Sequence, residues 1–421
     1  MKFKYIAIIF LLALSASVHS QVKLLIPMEP WQTQHLKAYG IAYRYLNDGK
    51  ELDWLLNYRG GSFMFPYSSA LENECRLKNV SYELLDGTQT ATVYADVQDM
   101  KNNTELIHLE KVAKIAVYVP PNSLPWDDAV QLVLDYAEIP YDKVWDEEVL
   151  SGKLKSYDWI HLHHEDFSGQ YGKFFASFAT AQWYQEQKAT NEAMAKKLGF
   201  TKVSKLKLAV VKKLNEYIAN GGFLFAMCSA TETYDLALAA QNTDICDAVY
   251  DGDPYDADAN SKLDFTDCIA FENFEAILNP LVYRRSTLDA TDEIFTLGQW
   301  NDNFKLIEFS AKNDPVPTML TQCHTSLIKG FMGQCSGFVK KYLKPNVTIL
   351  AMNEGTDIVR YIHGNYGKGT FTFYSGHDPE DYQHLVGAPK TELDNFPNSP
   401  GYRLILNNVL FPSAKKKKLK T

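Results

Sequence analysis

Cysteine is scarce in this chain, six in 421 residues, too few for the disulfide framework that holds small exported domains together. Positive charge is also short: 42 Lys and Arg stand against 51 Asp and Glu, a formal net charge of −9, the wrong sign for a nucleic-acid partner. The spaced glycines of a dinucleotide loop and the Gly-Lys-Ser/Thr of a nucleotide loop are both missing. Arg59-Gly60-Gly61-Ser62 therefore reads as a turn, and no cofactor is expected from it. Past residue 20 no apolar run is long enough to span a bilayer. Internal repeats and low-complexity linkers are absent too. What remains is 46% hydrophobic and 13% aromatic, ample for a packed core in two or three domains.

Residues 1–20 have the layout of a secretory leader: Lys2 and Lys4, an apolar run from Tyr5 to Leu14, then Val18 and Ser20 before Gln21. The expectation is an exported, periplasmic or secreted protein, with a net charge of −11 once those two lysines are removed from −9. Residues 413–421 form a basic tail, Lys415 to Lys418 and Lys420, read as a solvated chain end. Cys246 with Cys268, and Cys323 with Cys335, are near enough in sequence to pair, with connectivity open.

Residues 21–110 read as a smaller N-terminal α/β or α+β domain. It has a strand at Val22 to Ile26, a helix at Gln34 to Leu46 with Leu36, Tyr39, Tyr43 and Leu46 on one face, and a strand at Leu52 to Asn57. Alternation over 72–110, as in Ala91 to Ala95 and Leu106 to Leu109, predicts a few half-exposed strands. The pattern restarts at Lys114 with a buried strand, Ile115 to Val119. Pro125-Trp126-Asp127-Asp128 opens a helix, a short strand around Lys143 to Asp146 and a stronger one from Asp158 to His163 follow, and Leu206 to Ile218 is a further helix. This order predicts a flavodoxin-like doubly wound parallel sheet over about 111–412, interrupted by an aperiodic insertion at about 240–345. In such sheets the site lies at the carboxyl ends of the strands.

Asn220-Gly221-Gly222 stops a helix, Phe223 to Met227 is a five-residue apolar run, and Cys228 stands where that strand ends. Ala226 and Ala230 leave room for a sharp turn, and the following stretch is helix-compatible. A helix N-terminus at a thiol lowers its pKa, so Cys228 is a candidate nucleophile. His377 follows the strand Gly369 to Tyr374 by the same logic, with Asp378 and Glu380 at hand to orient it.

These segments, about 114–228 and 364–384, resemble the class I glutamine amidotransferase-like superfamily. There a cysteine on an elbow and a His-Pro-Glu motif complete a triad, and the matching residues here are Cys228 and His377-Asp378-Pro379-Glu380. The resemblance implies an exported cysteine-dependent amidohydrolase or amidotransferase. In it Cys228 attacks, His377 moves the proton, Glu380 or Asp378 orients it, and Ser229 with His163, His164 and Glu165 serves the oxyanion or substrate. The elbow departs from the family in lacking flanking glycines. Over nearly its whole length the chain also resembles an exported bacterial family catalogued as asparagine synthetase B. That resemblance is carried by Leu55 to Gly61, Leu162 to Phe167, Phe225 to Thr231 and Gly376 to His384, although the Ser-Gly-Gly-x-Asp-Ser loop of a true synthetase is missing.

Two other classes stay open. One is a non-catalytic module of the same fold that binds a glycan or a protein, with Cys228 as core. The other is metal-assisted hydrolysis at His161, His163 and Glu165, which share a strand end and offer transition-metal ligands. Under the enzyme reading the partner is a small-molecule or glycan substrate. Nothing in the sequence indicates an oligomeric state.

Overall fold

The computed structural model describes residues 22–122, 124–314 and 321–414, so the leader and the lysines of the basic tail lie outside the described residues. Strands β1 (Lys23–Ile26), β2 (Leu52–Leu56), β3 (Ser62–Pro66), β4 (Glu83–Leu85) and β5 (Glu105–Leu109) form an antiparallel sheet, in the order β4-β1-β3-β2-β5. Alternation along β1 explains its two covers. Leu24 and Ile26 pack in one cluster with Leu36, Tyr39, Tyr43 and Leu46 of the helix His35–Asn47. Leu25 faces the other way, into a cluster with Val93 and Val97.

Those two valines correct an expectation. Ala91 to Ala95 is not a strand but lies in the helix Gly87–Gln98, whose inward residues Thr90, Val93 and Val97 recur at helical spacing. The decisive signal is a reciprocal cap. Gln89 N–H donates to Asp86 Oδ1 at 2.9 Å, and Asp86 N–H donates to Gln89 Oε1 at 2.9 Å. A second helix, Ser69–Leu77, occupies the start of the same stretch, and only Glu83–Leu85 and Glu105–Leu109 are extended there.

The larger sheet is mixed. Its parallel part contains β6 (Ile115–Tyr118), β7 (Asp142–Val144), β8 (Trp159–Leu162), β9 (Phe223–Met227) and β15 (Gly369–Tyr374), in the order β7-β6-β8-β9-β15. Beyond β15 the sheet continues antiparallel through β14 (Ile358–Tyr366), β13 (Thr348–Met352), β10 (Asn303–Leu306) and β11 (Leu327–Lys329), while β12 (Phe338–Val339) pairs with β14. The chain is therefore an α/β protein whose larger sheet is mixed, parallel from β7 to β15 and antiparallel beyond. The aperiodic insertion supplies β10 to β12 and short helices such as Thr291–Leu297.

Register places the site. Tyr118 pairs with Leu162, Leu162 with Ala226, and Met227 with Tyr374. The parallel strands thus end level, and His163, Cys228 and the Ser375–His377 turn leave one edge together. Val117, Phe225 and Met227 face a core shared with the helices Ala129–Tyr136 and Pro400–Leu410; Ala116, Leu224 and Ala226 face Val203–Ala219 and Ser229–Ala239. The first core is continuous with that of the N-terminal sheet. Arg403 fastens the join, donating from Nε to Tyr39 Oη at 2.9 Å and from Nη1 to Met28 O at 3.2 Å.

All six cysteines are free. The two pairings that sequence proximity left open do not form, and each thiol faces a backbone carbonyl: Cys246 Sγ lies 3.3 Å from Ser168 O, and Cys268 Sγ 3.3 Å from Asp235 O. Cys323 Sγ approaches Pro400 O and Cys335 Sγ approaches Gly337 O, both at 3.7 Å. No helix among the described residues is long and apolar enough to cross a membrane.

Candidate active site

Strand β9 stops at Met227 and a helix starts at Ser229, so the single residue between them must turn the chain. Cys228 does so at φ 52°, ψ −137°, a region that suits glycine and costs another residue roughly 1–3 kcal/mol. Hydrogen bonds hold the strain in place. Cys228 N–H donates to Gly376 O at 3.1 Å and Ala230 N–H to His163 O at 3.0 Å, which ties the elbow to the ends of β15 and β8. Ala226 and Ala230 are fully buried beside it.

A loop of the insertion closes over the thiol, and sequence reasoning missed it. Gly376 N–H donates to Cys335 O at 2.8 Å and His377 N–H to Met332 O at 2.9 Å. This docking brings Gln334 N–H to 3.4 Å from Cys228 Sγ. Gly333 makes the approach feasible, because a Cβ there would sit 2.8 Å from His377 N and 2.9 Å from Gly376 C. Gly333→Ala is expected to push the loop off and cost about 1–3 kcal/mol, read as a lowered urea midpoint.

Five imidazoles surround this edge. Ring centroids lie 4.0 Å apart for His163 and His164, 4.6 Å for His163 and His377, 4.7 Å for His164 and His377, and 4.2 Å for His377 and His384; His161 is 5.5 Å from His163. One ligating atom each from His163, His164, Cys228 and His377 lies within 4.8 Å of the others. Cys228 and His377, 149 positions apart by subtraction of their numbers, are thus neighbours.

The electrostatics differ from the expectation of an activated thiolate. Cys228 is only 2% exposed, and burial pushes its thiol up, against the opposing pull of the Gln334, Ser229 and Cys335 backbone N–H groups. The helix N-terminus does not outweigh desolvation. Burial and the neighbouring imidazoles of His163, His164 and His384 hold His377 well below the usual histidine range, and burial does the same for His164. The resting pair is a neutral thiol beside a neutral imidazole.

The carboxylates are also distributed in a way the sequence did not reveal. Asp378 Oδ1 accepts from Glu380 N–H at 2.9 Å, Asp378 Oδ2 has no hydrogen-bond partner among the described residues, and burial lifts the carboxyls of both Asp378 and Glu380. The acid grouped with His377 and His384 is Asp127, 3.0 Å from His384 Nε2. Burial opposes protonation of His384, but Asp127 and Asp381 hold it above its ordinary value. Next to it, Asp128 Oδ1 lies 3.3 Å from His161 Nε2 and 3.2 Å from His163 Nδ1. Both acids read in the sequence as helix-opening residues, and Asp128 does cap the helix Ala129–Tyr136. The usable signal was their place in the connection between the parallel strand Ile115–Tyr118 and the helix Ala129–Tyr136, at the sheet edge where sites form.

The other candidates serve the turn. Ser229 is buried, and its Oγ reaches Glu165 O at 3.4 Å. Glu165 points away from the thiol cluster to Lys207, Oε2 to Nζ 3.6 Å, and burial lifts its carboxyl to about 7. His161 turns Nδ1 to Phe225 O at 3.1 Å.

No family model matches the sequence, and no curated protein matches it. Among solved structures, it is similar to the cytoplasmic protein STM3548 from Salmonella typhimurium, at 11% identity over 72% of this chain and 100% of that one, with a TM-score of 0.35. It is also similar to the cytoplasmic protein STM1381 from Salmonella typhimurium LT2, at 14% identity over 72% and 99% of the two chains, TM-score 0.31. A catalytic mutant of a GH42 beta-galactosidase from G. stearothermophilus matches at 13% identity over 64% of this chain and 28% of that one, TM-score 0.27.

Proposed function

We propose that this protein is an exported cysteine-dependent hydrolase or transferase acting on an amide or related acyl bond, built on a flavodoxin-like, class I glutamine amidotransferase-like core. The observation that carries the reading is the strained backbone of Cys228 on a strand-to-helix elbow beside a neutral His377. Such strain persists where the surroundings over-determine it, as at catalytic sites. The parallel strand order, renumbered along the core as 2-1-3-4-5, supports the flavodoxin-like part. A pure binding module gives no account of the strain. No ATP-dependent step belongs to the proposal, since neither nucleotide loop is present.

In this mechanism His377 takes the Cys228 proton as Sγ bonds to the carbonyl carbon. The oxyanion faces the Gln334, Cys335 and Ser229 N–H groups. The tetrahedral species collapses to a thioester as the C–N bond breaks and His377 returns the proton to the leaving amine. Water, or another acceptor nucleophile, then gives its proton to His377 as it bonds to the acyl carbon; the C–S bond breaks, the acyl product leaves, and His377 returns the proton to Sγ. Asp127, next to His384 and His377, orients the bases.

Iodoacetamide labelling of the folded protein, followed at Cys228 by mass spectrometry, tests the pair. Because the thiol is lifted and His377 stays neutral, the rate is expected to climb about tenfold per pH unit through pH 7 to 9, with no acid plateau. His377→Ala should slow labelling at pH 7 about tenfold or more. Labelling that occurs only after unfolding would sink the proposal.

A further inference from the structure

The cluster of Asp128, His161 and His163, which shares His163 with the group around Cys228, has no role in the mechanism above. All three side chains are buried. His161 Nδ1 lies 3.1 Å from Phe225 O; a carbonyl only accepts, so Nδ1 carries the hydrogen and the neutral ring presents a lone pair at Nε2. That lone pair is 3.3 Å from Asp128 Oδ1, which lies 3.2 Å from His163 Nδ1. Neither contact has hydrogen-bond geometry: His161 Nε2, both ring nitrogens of His163 and Asp128 Oδ2 have no hydrogen-bond partner among the described residues. Burying so many unpaired polar atoms together is costly.

We propose that Asp128, His161 and His163 hold a divalent transition metal ion, zinc by the chemistry of its donors. Two imidazole nitrogens and one carboxylate oxygen form a three-ligand zinc set with a fourth position left open. With bonds of about 2.1 Å, tetrahedral ligands stand roughly 3.4 Å apart, close to the separations between Asp128 and the two histidines. The outer shell is in place as well. His161 donates to Phe225 O, and Asp128 Oδ1 accepts from Val130 N–H at 2.8 Å and Gln131 N–H at 3.0 Å. Glu165, the third ligand expected from sequence, is replaced by Asp128, the cap of the helix Ala129–Tyr136. His163 also belongs to the group around Cys228, so the ion would fix the imidazole whose ring centre lies 4.6 Å from that of His377.

The test is metal content by plasma mass spectrometry and the visible spectrum of the Co2+-loaded full chain. Wild type is expected to hold one equivalent per chain. Asp128→Asn, which keeps the helix cap, and His161→Gln should each fall at least tenfold in bound metal, with folding checked by circular dichroism. Cys228→Ala should keep the full equivalent and the same Co2+ spectrum, without a thiolate band in the parent. This separates the ion from the nucleophile, since the labelling experiment can fail while metal binding stands. The proposal is overturned if wild type neither retains metal nor gives a Co2+ spectrum on titration. It is equally overturned if Cys228→Ala loses the ion while Asp128→Asn keeps it, which would place the metal on Cys228, His164 and His377.

Discussion

Cys228→Ala is expected to abolish acyl-transfer turnover, by three orders of magnitude or more, while the chain stays folded. The size follows from the role: removing a covalent nucleophile removes the intermediate itself, and what remains is binding and the oxyanion donors. The stability half of the prediction is independent of substrate. Alanine retains a Cβ and so keeps the backbone strain at φ 52°, ψ −137°, whereas glycine adopts that region freely. Cys228→Gly should therefore be more stable than Cys228→Ala by about 1–2 kcal/mol, measured by urea unfolding of both variants. At an ordinary buried position the order would be reversed, because glycine loses more chain entropy and packs less. If alanine proves the more stable of the two, the elbow is relaxed and the main argument for a nucleophile is gone. Turnover that persists in Cys228→Ala on a substrate found by screening amides would end it directly.

How far the sequence foretold this site depends on the kind of signal. Phe223 to Met227 is a short apolar run bounded by a glycine stop, and the glycine-bounded strand before His377 is similar; local pattern was enough to put both residues just past strand ends. Their proximity came from parallel pairing of β9 and β15, which the α/β order implied. Asp127 and Asp128 were visible only as acids at a helix start, a role that satisfied the local pattern and concealed the second one. Gln334 and Cys335 lie in the aperiodic insertion, where no periodicity says which backbone N–H returns to the sheet edge. The error at Ala91 to Ala95 has a similar cause. Alternation over five residues fits a strand, but the Asp86 and Gln89 cap decided for helix. Burial, which sets the protonation of Cys228 and His377, is a property of the assembled molecule and left no local trace.

The largest stability effect is expected at Lys207→Met, on the other side of the His163 to Asp166 turn. Lys207 is buried in the helix Val203–Ala219. Its Nζ lies 3.1 and 3.2 Å from the two carboxylate oxygens of Asp146, 3.0 Å from Tyr118 Oη and 3.6 Å from Glu165 Oε2. One ammonium thus answers two carboxyl groups, and Tyr118 Oη donates to Asp146 as well. Methionine matches the length of the stem but leaves Asp146 buried without its cation, a loss of about 3–5 kcal/mol. The pH dependence has a definite sign. Burial raises Glu165 from 4.5 to about 7, with Lys207 pulling the other way. The stability tied to its neutral form is fully present below about pH 4.5 and is lost as pH rises through 7. Without Lys207 nothing opposes the rise, so the deficit of Lys207→Met should be larger at pH 8 than at pH 5.5. Glu165→Gln in the wild-type background should flatten this dependence and gain at most about 3 kcal/mol at pH 8. Urea midpoints at the two pH values decide the matter: a Lys207→Met loss below about 1 kcal/mol at both would mean that water reaches Asp146 and that the network is not the desolvated charge system its distances describe.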